Sequence, residues 1–253
     1  MDRERRKVFR AFGDAVRERR LAMGMGVVAS GGTFGLPLFH GTSDFFATQI
    51  MNSGLGAANP IAQLGAVSLA DDVVALMESL GIGISMADSW YTHVRLLRQM
   101  SQQRVSEGGF NWRHGGVYVT LTRHQAIGYA RNAKGSELLT SIAELLALAP
   151  HLASRRLLRN YPEIRAVLGQ EHAPVLIRAQ GVQVSAMRTE RGQDPSSAIA
   201  DLDEHFDSIR SALERGRESP FASLHQFEIV QVVPPSQLEL EILSRDELEA
   251  YTW

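Results

Sequence analysis

The chain has 253 residues, of which 44% are hydrophobic and 21% charged, with a formal net charge of -2 and no cysteine. This suits one large globular domain, or a domain with an insertion, and argues against a disordered chain. The lack of cysteine excludes disulfides, thiolate catalysis and Cys-based zinc sites, and the near-neutral balance gives no general pull toward nucleic acid or anionic membrane.

Two further classes fall away. The eight histidines show no HExxH spacing, so no metal site is expected. No stretch approaches the roughly 20 apolar residues of a membrane span, so no membrane partner is expected either.

In chain order, Val8, Phe9, Phe12 and Val16 share one face of a helix whose arginines point outward. The basic start followed by LAMGMGVVASGG imitates a signal peptide, but its basic part is too long and its apolar part is broken by glycine. The stretch ASGGTFG reads as a mobile joint. It closes an N-terminal helix-and-linker segment, residues 1–30, ahead of a main domain over 31–253.

LPLFH reads as a short strand, with Pro37 near its start, where a missing N–H does least harm. Ser43 or Asp44 can cap the next helix, in which Phe45, Phe46, Ile50 and Met51 make apolar contacts, and Gly54 ends it. The pattern from 59 to 103 is helical. EGGFNWRHGG is a loop and VYVTLT a strand. Helix resumes over 123–133, and two more helices run to about 169. APVLIRA and VQVSAM read as extended.

SSAIADLDEHFDSIRSALERG reads as one amphipathic helix with Ile199, Leu202, Phe206, Ile209 and Leu213 on one face. HQFEIVQVVPPSQLELEI reads as two strands split at Pro234-Pro235. Strands and helices mix without βαβ alternation, which predicts an α+β fold with a mainly antiparallel sheet. The segments at about 59–103 and 134–170 read as helical insertions into a smaller strand-based core.

Three blocks stand out: LFHGT, GGVYVTLTRHQAIGYA and HQFEIVQVVPPSQL. Together they resemble the ADP-ribosyltransferase superfamily, in the His-Tyr-[Glu/Asp/Gln] branch with diphtheria toxin and the poly(ADP-ribose) polymerases. The match covers roughly a quarter of the chain. HGT followed by a helix that ends at Gly54-Leu55 fits the first block, and Tyr118 and Tyr129 stand eleven positions apart in the second.

The resemblance implies a split antiparallel β-sheet core with NAD, as substrate, in a cleft. Tyr118 and Tyr129 would stack on nicotinamide, Gly41 would hydrogen-bond its carboxamide through the main chain, and His40, supported by Thr42, would bind a ribose hydroxyl. Gly41 suits this place because it lacks a Cβ, which lets backbone approach a ligand closely.

The third position of the triad is ambiguous. Aligning Val-Pro-Pro with the family's Ile-Pro-Pro ending places Gln226 there, yet Glu228 lies two residues on, on the same strand face. His225 and Ser223 are further options. A neutral amide would orient the ribose without supplying charge, which points to single transfer rather than chain elongation. Trp112 and His114, in the loop before the Tyr118 strand, are candidates for substrate contact, and Arg123 and His124 for an NAD phosphate or for solvent.

The reading that follows is a mono-ADP-ribosyltransferase, a bacterial toxin or effector acting in the cytoplasm of its producer or of a target cell. It would modify a protein or nucleic-acid acceptor, and a cognate immunity protein is a conceivable partner. An NAD glycohydrolase of the same fold and a non-catalytic NAD-binding module are the alternatives.

Overall fold

A computed structural model describes residues 26–250 apart from 30, 106–110, 115, 133, 216 and 218. The expected N-terminal helix lies outside the described residues. The described chain is a mixed fold in which helices cover an antiparallel sheet.

A two-stranded hairpin comes first, β1 (Val28–Ala29) with β2 (Thr33–Phe34). It occupies the stretch read as a mobile joint. Val27 and Phe34 at its ends are both buried in the core, with the Phe34 ring edge-on to Phe227, so this glycine-rich stretch is anchored. Gly31 and Gly32 take the positive φ that its turn requires.

Next come β3 (Leu38–Ser43) and α1 (Asp44–Ser53). The strand runs on through His40-Gly41-Thr42 to Ser43, further than LPLFH suggests. Ser43 stands at the N-cap of α1, but its buried hydroxyl makes no capping bond. Gly54, at φ 100, ends the helix as its sequence implies.

Three helices follow, α2 (Pro60–Gln63), α3 (Ala66–Ser79) and α4 (Tyr91–Ser101). Strand β4 (Val117–Thr120) leads into α5 (Arg123–Ala130). Instead of two helices, three then run to residue 168: α6 (Glu137–Leu148), α7 (His151–Leu158) and α8 (Pro162–Leu168). Pro150 and Pro162 separate them, as expected of a residue that fits a helix start and not its interior.

The two helical segments, far apart in sequence, form one layer. Helices α3, α4 and α6 pack on one another, and Met77, Leu97, Met100, Leu139 and Ile142 are fully buried among them.

The remaining elements are β5 (Pro174–Ala179), β6 (Met187–Thr189), α9 (Ser196–Glu204), α10 (Phe206–Glu214), β7 (Gln226–Ile229), β8 (Leu238–Ile242) and α11 (Arg245–Ala250). The single helix expected over 196–216 is broken at His205, whose backbone leaves helical geometry and whose ring stacks on Phe221 at 3.8 Å. Its apolar face survives the break, because Ile199, Leu202, Phe206 and Ile209 are all buried.

Six strands form one sheet in the order β6-β7-β4-β3-β5-β8, with every neighbouring pair antiparallel. Pairing along this sheet is uneven. Strand β3 pairs with β5 through all six residues from Leu38 to Ser43, and β4 pairs with β7 through four. Between β3 and β4 only Phe39 and Thr120 are matched. The sheet therefore divides into two well-laddered halves that part along the β3–β4 line.

Strand β5 is buried on both faces. Ile177 and Ala179 join the main core, while Leu176 joins a smaller cluster with Ala126, Ile127 and Ala130 of α5. Helix α5 is thereby fixed beside the parting line.

Candidate functional site

A cavity of about 210 Å³ opens where the two halves of the sheet part. His40, Gly41, Thr42, Tyr118, Tyr129 and Gln226 all line it, so segments from three distant parts of the chain converge on one space. Glu228 and Trp112 are not on its wall.

His40 bridges the parting. Its Nδ1 lies 2.8 Å from the main-chain oxygen of Tyr118. A carbonyl can only accept, so Nδ1 carries the proton and Nε2 is the lone-pair nitrogen. Burial pushes the His40 pKa down, and the bond to Tyr118 opposes this only in part, so the ring is held neutral.

Gly41 is explained differently from the sequence-based expectation. A Cβ at this position would lie 1.8 Å from the main-chain oxygen of Ala126 and 2.7 Å from the nitrogen of Ala130. What needs the missing Cβ is the close crossing of β3 by α5. The Gly41 backbone nevertheless lines the cavity.

Tyr118 and Tyr129 enter from β4 and α5. The Tyr118 hydroxyl is shielded from solvent beside Asn111 and makes no hydrogen bond of full geometry. Burial pushes its pKa up, with Asn111 opposing. Tyr129 is 42% exposed, and its hydroxyl donates to Gln226 Oε1 at 3.1 Å. Burial raises its pKa as well, and the bond to Gln226 opposes. Both phenols stay neutral near pH 7.

The start of α5 is tied to the far half of the sheet. Thr122 caps the helix, and its hydroxyl also bonds Gln125 Oε1 at 3.0 Å. Gln125 Nε2 donates to the Ser223 main-chain oxygen at 2.9 Å, just ahead of β7. This link sets Tyr129 against Gln226.

The structure places the four options for the third position differently. Register places Gln226 opposite Thr120 and Glu228 opposite Tyr118 on one face of the β4–β7 ladder. Gln226 reaches the cavity. Glu228 is paired with Arg113 Nη2 at 3.1 Å. His225 pairs with Asp201 at 2.7 Å, and the Ser223 hydroxyl donates to Pro220, so both are turned to other partners.

The loop before β4 contributes Asn111, Arg113, His114 and Gly116 to the lining, and Trp112 as an anchor. Trp112 packs against the main core. His114 lines the cavity, with its Nε2 buried and unpartnered and its pKa pushed down to about 4 by burial. Arg113 also lines it, held by Asn111 Oδ1, the Glu190 main-chain oxygen and Glu228. Arg123 is engaged elsewhere, bonding Glu241 and Glu247. These carboxylates occupy the group expected to meet a phosphate or solvent.

Two lining carboxylates escaped the sequence reading, Glu137 and Glu190. Burial pushes both pKa values up, and for Glu190 the nearby Arg191 and Arg113 oppose this. Glu137 had a usable signal, since it follows the capping Ser136. Glu190 had none, because RTERGQ carries no motif.

Among the described residues no group of three or more His, Asp or Glu side chains is placed to hold a metal ion, and no helix is long and apolar enough to cross a membrane. Comparison with known proteins returns no matching family model, no matching curated protein and no matching solved structure.

Proposed function

We propose that this chain cleaves NAD in the manner of the ADP-ribosyltransferase superfamily and passes ADP-ribose to a macromolecular acceptor, as a toxin or effector would inside a target cell. One observation carries the reading: the three blocks that resemble the family line a single cavity at the parting of the sheet.

The chemistry asks for what this cavity offers. The C1′–N1 bond of NAD breaks, and its electron pair leaves with nicotinamide as a neutral ring. A nucleophile of the acceptor then bonds to C1′ and gives its proton to solvent. The transition state resembles an oxocarbenium ion, as in glycoside hydrolysis. Neutral aromatic rings suit the departing nicotinamide, with about 0.5–1.5 kcal/mol per stacked pair. In this reading Tyr118 and Tyr129 hold that ring, and the Gly41 main chain bonds its carboxamide. His40 accepts a ribose hydroxyl at Nε2, Thr42 supports it, and Gln226 orients the 2′-hydroxyl. The neutrality of His40 matters, because an imidazolium would repel the developing cation.

The test is incubation of the full chain with labelled NAD and cell lysate, comparing wild type with Tyr118→Ala and His40→Ala. Label on a macromolecule should fall at least tenfold in both variants. Equal labelling from all three proteins overturns the site. Free ADP-ribose and nicotinamide without macromolecular label would identify a glycohydrolase instead, and NAD binding without turnover a non-catalytic module.

A further inference from the structure

The cavity holds a carboxylate that the three blocks do not contain. Strand β6 pairs with β7 so that Met187 faces Ile229, Arg188 faces Glu228 and Thr189 faces Phe227. The ladder continues one step beyond β6, where the Glu190 N–H donates to the Gln226 carbonyl oxygen at 3.1 Å. Residues directly opposite one another in an antiparallel ladder project from the same face, with Cβ atoms roughly 5 Å apart. Glu190 therefore stands beside Gln226, and both line the cavity.

The main chain of Glu190 is clamped, while its carboxylate lies near Arg113 and Arg191 without bonding to either. Asn111 Nδ2 and Arg113 Nη2 donate to its carbonyl oxygen at 3.1 and 2.8 Å. Among the described residues its carboxylate takes no hydrogen bond or ion pair. The other two carboxylates near the cavity are placed differently. Glu228 is paired with Arg113 and lies off the cavity wall. Glu137 lines the cavity from the start of α6, off the strand ladder that carries Gln226.

We propose that Glu190 is a catalytic residue, supplying from a neighbouring strand the negative charge that the neutral Gln226 cannot provide. This rests on the NAD-cleaving reading above. One role is thereby divided between two cross-strand neighbours. Gln226, itself fixed by Tyr129, orients the ribose. Glu190 faces the cation that forms as the C1′–N1 bond gives its electron pair to nicotinamide. The carboxylate forms no covalent bond and takes up no proton. The acceptor, or water, closes on C1′ and releases its proton to solvent.

The experiment measures nicotinamide release from NAD by the full chain, in the presence of lysate acceptor, for wild type, Glu190→Gln and Glu190→Ala. Thermal unfolding and NAD binding by calorimetry are measured on the same proteins. The expected result is a kcat about 100-fold lower in Glu190→Gln, with KM within threefold of wild type. Glu190→Ala should recover at least tenfold on addition of formate, which can place a carboxylate in the vacated space. If wild type turns over NAD and Glu190→Gln stays within threefold of it, the Glu190 assignment falls and the NAD-cleaving reading stands. A loss that comes with a lowered melting temperature and no response to formate also overturns the assignment, since it marks a scaffold residue. A wild type that neither binds NAD nor releases nicotinamide overturns both.

Discussion

His114 and His40 are half-buried imidazoles lining one cavity, and desolvation disfavours the charged form of both. The consequence for stability has a definite sign. For His114 the folded pKa is about 4 against 6.5 for the free side chain. Between those values the unfolded chain binds a proton that the folded chain refuses, so stability rises with pH across the window and is lost as pH falls through it. The full shift corresponds to about 3 kcal/mol, and His40 adds to it in the same direction. Urea unfolding at pH 7.5 and pH 4.5 checks this. Wild type should lose markedly more stability on acidification than His114→Gln, and equal losses would show that residue 114 does not titrate in this way.

The crossing of α5 over β3 is the contact between elements on which the cavity most depends. It holds Tyr129 beside Gln226 and His40 beside Tyr118, and it tolerates no side chain at position 41. Gly41→Ala would drive a methyl group into the main chain of α5, which cannot yield as a flexible side chain could. The expected cost is roughly 3 kcal/mol or more, read as a shifted urea midpoint or as loss of soluble protein. A near-neutral result would mean that the helix stands further from the strand.

Elements also show what local pattern can and cannot convey. The spans of α1, β4, α5, β5, β7 and β8 could be read in outline because capping residues, Gly54, the Pro-Pro pair and apolar alternation are local signals. The break at His205 could not, since the 3.6-residue apolar pattern runs unbroken from Ile199 to Leu213. The hairpin at 28–34 was hidden because its glycines look the same in a tight turn and in a loose linker. At the cavity, His40, Tyr118, Tyr129 and Gln226 belong to recognisable local runs. Glu190 does not. Its placement follows from the long-range register of a three-residue strand, which no local pattern encodes.

Across the whole molecule, one apolar cluster joins the sheet to the helical layer, running from Val27 and Phe34 through Met77, Leu97 and Leu139 to Phe227. The two helical segments are thus built into the same core as the strands that carry the cavity. Leu139→Ala should therefore lower the stability of the entire molecule by about 3 kcal/mol. Far-UV circular dichroism and the fluorescence of Trp90 and Trp112, both packed against this cluster, should shift together in one transition. Separate transitions from the two signals would show that the helical layer unfolds on its own.

The solitary Phe39–Thr120 rung leaves the two half-sheets articulated like covers on a spine, with the His40 imidazole as the stitch beside it. Each cover is stiffened by its own ladder, so the line of easiest flexing runs through the mouth of the crevice. A ligand that settles there would touch both covers at once, His40 on one and Tyr118 on the other.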